Sequence, residues 1–139
     1  RPTRPGDFDW RLRAVIEFTR RPEAASLAAA NKRVANILRK QREEGGAVAS
    51  RIDPALFELD AERALADALE AARVDTASVM REGDYAGVLA RLAQLQRPVD
   101  RFFDEVLVNA EQPSVRANRL ALLAQLHAQF ASVADISRL

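Results

Sequence analysis

From Leu27 to Lys40 the chain carries an apolar residue every three or four positions, and this stretch constrains the fold more than any other. Wound as an α-helix, it sets Leu27, Ala30, Val34, Ile37 and Leu38 on one side. The amides Asn31 and Asn36 join Lys32, Arg33, Arg39 and Lys40 away from that side. A strand would scatter both sets across its two faces, so the spacing dictates a helix with one wall of its own to bury. The net charge of the whole chain is only +1, so the cationic wall is a local feature and not the overflow of a basic protein.

The rest of the chain is written in the same period. Hydrophobic residues make up 48% and aromatic residues 6% of 139 positions, and Ala and Leu dominate, as in helical bundles. That length suits one domain with one core. Without cysteine there is no disulfide, thiol nucleophile or cysteine metal site, which is compatible with a reducing compartment. No apolar run approaches the roughly 20 residues that cross a bilayer, and no secretory signal pattern opens the chain. Arg outnumbers Lys 19 to 2, a bias that GC-rich coding explains. The chain starts at Arg1 and its one methionine is Met80, which reads as a fragment of a longer protein.

Punctuation divides the chain into about six helices. Asp7 or Asp9 caps the first, which runs to about Arg20 with Phe8, Leu12, Val15 and Ile16 inward. Pro22 opens the second, which continues to Lys40. Residues 41–53 hold Glu43-Glu44-Gly45-Gly46 and no hydrophobic period, the pattern of a mobile loop. After a short turn at residues 54–57, Asp60 caps a long helix bearing Leu65, Leu69, Ala72, Val79 and Met80. Gly83 ends it, and Asp84 caps the next, with Tyr85, Val88, Leu89, Leu92 and Leu95 inward. Pro98 opens a short helix with Val99, Phe102, Phe103, Val106 and Leu107, and Ser114 caps the last, to about Ile136. No strand alternation and no internal repeat compete with this, so the expected class is all-α.

Catalytic patterns are absent. His127 is the single histidine, and no Cys-His or carboxylate-His arrangement surrounds it. Glu43-Glu44 and Asp104-Glu105 read as solvated charges, and Gly45-Gly46 lacks the Lys and Ser/Thr of a phosphate loop. Two features remain. A charged outer wall is the default of any bundle helix, but Lys32, Arg33, Arg39 and Lys40 could neutralise phosphates while Asn31 and Asn36 meet a base edge. Arg119 lies on the apolar stripe of Leu123, Leu126, Phe130 and Val133, where an arginine must be paired. Asp100 and Asp104 are the expected partners, in an ion pair locking the last two helices. Arg116 and Asn118, nearer the cap, are freer to reach a ligand.

Asp9 and the run Arg11 to Val15, then Leu27 to Leu38, Pro98 to Val108, Arg116 to Leu126 and Val133 to Ile136 resemble the C-terminal region of the bacterial glycyl-tRNA synthetase β subunit. The resemblance extends from about Asp7 to the end, with the loop after Lys40 least similar, and Leu107 replaces a usual methionine. The resemblance implies a single helical anticodon-binding domain over residues 1–139, of the type shared with arginyl-tRNA synthetase and forming the C-terminal fragment of a longer β subunit. It implies a cytoplasmic enzyme of α and β subunits that attaches glycine to its tRNA using ATP and magnesium. Glycine activation belongs there to the α subunit, so no cofactor and no catalytic residue is expected in this chain. Expected partners are the anticodon arm of glycine tRNA, the rest of the β subunit and the α subunit. The tRNA contacts expected are Asn31, Lys32, Arg33, Asn36, Arg39, Lys40, Arg116 and Asn118, and Trp10 or Tyr85 could stack on a base, though both suit a core. The rival reading is a helical interaction module docking a partner subunit by the same basic wall.

Overall fold

The computed structural model describes residues 20, 22–45 and 51–137. Among them are five α-helices and one 3-10 turn: α1 Pro22–Glu43, the turn Pro54–Leu56, α2 Asp60–Arg81, α3 Tyr85–Ala93, α4 Gln96–Glu105 and α5 Pro113–Ser137. The class is all-α. The first helix expected, from Asp7 or Asp9 to about Arg20, lies outside the described residues apart from Arg20 itself, which is in a turn, and Trp10 lies outside them too.

Local chemistry explains most of the boundaries. Pro22 occupies the first position of α1, where its missing N–H costs nothing. The helix runs three residues beyond Lys40 to Glu43, so the first part of the expected loop is helical; residues 46–50 lie outside the described set. Asp53 holds the 3-10 turn by accepting a bond from the Ala55 N–H at 3.0 Å. Asp60 is not the cap of α2. Leu59 takes that place, and Glu62 reaches back to accept from the Leu59 N–H at 2.9 Å. This is the glutamate half of a capping box, without a polar cap residue to return it. Gly83 leaves α2 with φ at +75°, a left-handed turn, and Asp84 caps α3 through the Gly87 N–H at 2.9 Å. Two other starts differ from the expectation, each with a proline in the first turn, where it is tolerated: α4 begins at Gln96, two residues before Pro98, and α5 begins at Pro113 and not after Ser114.

Helices α1 and α2 each pack against α3, α4 and α5. Their shared neighbours bring Leu27, Val34 and Leu38 of α1, Leu65 and Leu69 of α2, Val88 and Leu92 of α3, Val99 and Phe102 of α4 and Leu122, Leu123 and Leu126 of α5 into one core. Phe102 and Phe103 meet edge to face, with centroids 5.8 Å apart. Six consecutive residues of α5, Asn118 to Leu123, are buried, so this stretch of the helix is enclosed on every side. Leu107, expected inward, is 66% exposed because α4 ends at Glu105 and the chain turns extended at Val106.

Candidate nucleic-acid interface

Helix α1 is held in place along both edges of its exposed wall. Towards α4, the Ser26 hydroxyl donates to Asp100 at 3.1 Å, and the Arg33 guanidinium lies 4.4 Å over the Phe103 ring. Towards α5, His127 Nδ1 lies 3.1 Å from Asn31 Oδ1. Between these edges Lys32, Arg33, Asn36, Arg39 and Lys40 are all exposed on one face. Arg39 shares an exposed ion pair with Glu43 at 3.2 Å, which contributes little and can be exchanged for another anion. The wall thus retains four cations and one amide. Asn31, expected among them, is half-buried and engaged by His127, so it positions the helix instead of facing outward.

At its C-terminal end the wall runs into a hollow of about 260 Å³. Ile37, Lys40, Gln41 and Glu44 of α1 and its end form one side; Val108, Asn109, Arg116 and Leu120 form the other. Arg116 therefore joins the α1 wall as the sequence suggested. Its Nη1 donates to the Ala110 carbonyl at 2.9 Å, which fixes the guanidinium at the rim. Gln41 and Asn109 were not singled out from sequence, and Glu44 reads there only as a solvated charge; no spacing rule marks them, since the hollow exists only once the segment after α4 folds against α1.

Asn118 and Arg119 do something other than expected. Asn118 is 3% exposed, and it both accepts from the Asp53 N–H at 2.7 Å and donates to the Asp53 carbonyl at 3.0 Å. It ties down the approach to the 3-10 turn and cannot reach a ligand. Arg119, 4% exposed, is paired as its position requires, but not with Asp100 or Asp104. Its Nε donates to Glu62 at 3.0 Å and its Nη2 to Glu62 and Glu58, both at 3.2 Å. The reason is register: Asp100 faces Ser26 and Gln96, Asp104 is exposed, and the start of α2 lies where Arg119 emerges. A further bond, from Nη1 to the Leu107 carbonyl at 2.7 Å, holds the segment that walls the hollow.

Glu62 is fully buried. Burial pushes its carboxyl up, but bonds from Arg119 and from the Leu59 and Glu58 N–H groups, with the charge of Arg119, outweigh it and hold the group below the ordinary glutamate range. Among the described residues there is no group of three or more His, Cys, Asp or Glu that could hold a metal ion, and no helix long and apolar enough to cross a membrane. The side chain of Tyr85 lies outside the described set.

A basic helical wall beside a small mixed hollow suits a flexible polyanion with rings to bury. The DALR anticodon binding domain family matches residues 27–136. The chain is similar to proteins named glycine–tRNA ligase beta subunit. That of Methylobacillus flagellatus is 52% identical over 139 residues, 100% of this chain and 19% of the relative. That of Haemophilus influenzae is 51% identical over 137 residues, 99% of this chain and 18% of the relative. That of Leptothrix cholodnii is 51% identical over 138 residues, 99% of this chain and 19% of the relative. The chain spans about a fifth of the length of these relatives. The family match covers most of the chain and both sides of the hollow, and the chain belongs to the DALR anticodon-binding domain family.

Proposed function

We propose that the exposed wall of α1, with Arg116, binds the anticodon arm of glycine tRNA within a cytoplasmic glycine–tRNA ligase. One observation carries the reading: Lys32, Arg33, Asn36, Arg39 and Lys40 share one exposed face that continues into the hollow rimmed by Arg116. The cations neutralise phosphates and set the register of the strand, while Asn36 is free to donate to and accept from a base edge. Asn118 drops out of this role, and Asn31 supports it from behind. The rest of the β subunit and an α subunit complete the enzyme, and glycine activation with ATP and magnesium takes place on the α subunit. With a net charge of +1, this domain supplies recognition, and the bulk of the tRNA affinity comes from elsewhere in the enzyme.

Glycine codons begin with two guanines, so every glycine anticodon ends in two cytosines. Replacing both in the tRNA should lower kcat/KM for glycylation by at least about 10-fold, from the roughly 1–3 kcal/mol carried by a well-read base. Unchanged glycylation would remove base reading and leave the wall as a surface for docking a partner subunit.

A further inference from the structure

The hollow at the end of α1 has a donor and acceptor set that a phosphate does not need. Ile37, Val108 and Leu120 give it apolar sides. Lys40 and Arg116 supply cationic donors, and Glu44 supplies a carboxylate at the same opening. A carboxylate repels a phosphate, and apolar sides give it nothing to bond. A planar ring bearing both carbonyl-type acceptors and an amino group fits all three kinds of side chain. Neither Lys40 nor Glu44 forms an ion pair among the described residues, although they stand one helical turn apart. Only one guanidinium N–H of Arg116 has a protein acceptor there, the Ala110 carbonyl, which leaves the others to a ligand. A hollow of about 260 Å³ is smaller than the roughly 300–1,000 Å³ that encloses a drug-sized molecule, and is scaled to a single ring.

We propose that this hollow receives one unpaired cytosine of the anticodon, with the Glu44 carboxylate accepting from its N4 amino group and Lys40 and Arg116 donating to its O2 and N3. The proposal rests on the anticodon-binding reading above and adds to it the element that selects the base. Uracil has the same ring and O2 but carries a carbonyl at position 4 and an N–H at position 3. It therefore turns an acceptor towards Glu44 and a donor towards the cations, so both contacts become repulsive.

The test uses the full glycine–tRNA ligase carrying this domain, with glycine tRNAs in which each of the two anticodon cytosines is separately replaced by uridine. Glycylation kcat/KM is measured for the wild type and for Glu44→Gln, whose amide can accept from an amino group or donate to a carbonyl. Glu44 is exposed, so the substitution leaves the fold intact, checked by circular dichroism. In the wild type each replacement should cost at least about 10-fold. In Glu44→Gln the penalty at one of the two positions should shrink by about 10-fold while the other keeps its full penalty. Penalties that stay the same at both positions in Glu44→Gln overturn the cytosine hollow and leave anticodon binding standing. So do penalties that shrink equally at both, which mark Glu44 as a general contact. No penalty in the wild type at either position overturns the anticodon reading itself.

Discussion

Glu62 and Arg119 are opposite charges that each sit on an apolar stripe, and the fold brings them together where neither could stand alone. Removing one partner leaves an uncompensated buried charge, which typically costs about 3–5 kcal/mol. Arg119→Met should destabilise the chain by about 3 kcal/mol or more, read as a lower denaturant midpoint, because it also releases the Leu107 carbonyl. Glu62 binds its proton less tightly folded than unfolded, since its carboxyl is held below the ordinary range. Its contribution is therefore fully present above the unfolded carboxyl's titration, near about 4.3, and drains away as pH falls through the lowered folded value. Glu62→Gln should be less stable near neutrality and should lose less stability between about pH 5 and pH 3 than the wild type. A variant with an unchanged acid arm would show that Glu62 is not part of that loss. The need for a partner at Arg119 was legible in the sequence; the identity of that partner was not. Glu62 does fall three residues before Leu65 and seven before Leu69, so an acid on an inner stripe was there to be matched with a base on another. Asp100 and Asp104 were nearer in sequence to Arg119, but helix register decides such pairs, and Asp100 faces α1 instead.

At the scale of elements, the helices were readable wherever a side chain writes its own boundary. Pro22, Gly83 and Asp84 act on the backbone beside them, so their positions transfer directly from sequence to structure. The helix starts that moved are those with a competing proline or no polar cap, at Leu59, Gln96 and Pro113, and two ends moved as well, at Glu43 and Glu105. Gly83 offers a clean check. A methyl group there meets nothing within 4 Å, so the cost of a side chain is purely conformational. Gly83→Ala should cost about 1–2 kcal/mol, seen as a lower Tm, while Gly83→Asn should cost less because asparagine tolerates the left-handed turn. Equal losses would mean that the turn is not held in that conformation. Gly87 is limited by space: a Cβ there would lie 2.7 Å from Val79 Cγ1 and 2.8 Å from the Asp84 Cγ, so the cap of α3 depends on its being glycine. Nothing in the spacing of Gly87 announces this, because the obstruction comes from the preceding helix and the capping aspartate.

For the whole molecule, the division of labour follows from which helix faces are buried. α1 gives its apolar wall to α3, α4 and α5 and keeps its cationic wall outward. Its orientation is set by Ser26 against Asp100 and by Asn31 against His127, one contact at each edge. Arg116 and Arg119 both brace the segment after α4, from the rim and from the interior, so the hollow is built on the same ion pair that closes the core. The wall was legible in the sequence because helical period alone separates it from the core. The hollow was not, since it requires three segments to meet. The most direct measurement of the central claim is the affinity of the full enzyme for glycine tRNA with Lys32→Glu and Arg33→Glu combined. Loss of the Arg33–Phe103 contact costs only about 0.5–1 kcal/mol, so the fold survives. At low salt the account predicts binding at least about 10-fold weaker, with subunit assembly unchanged and a log–log salt dependence shallower by about 1–2. Unchanged tRNA affinity, or disrupted subunit assembly in its place, would contradict it.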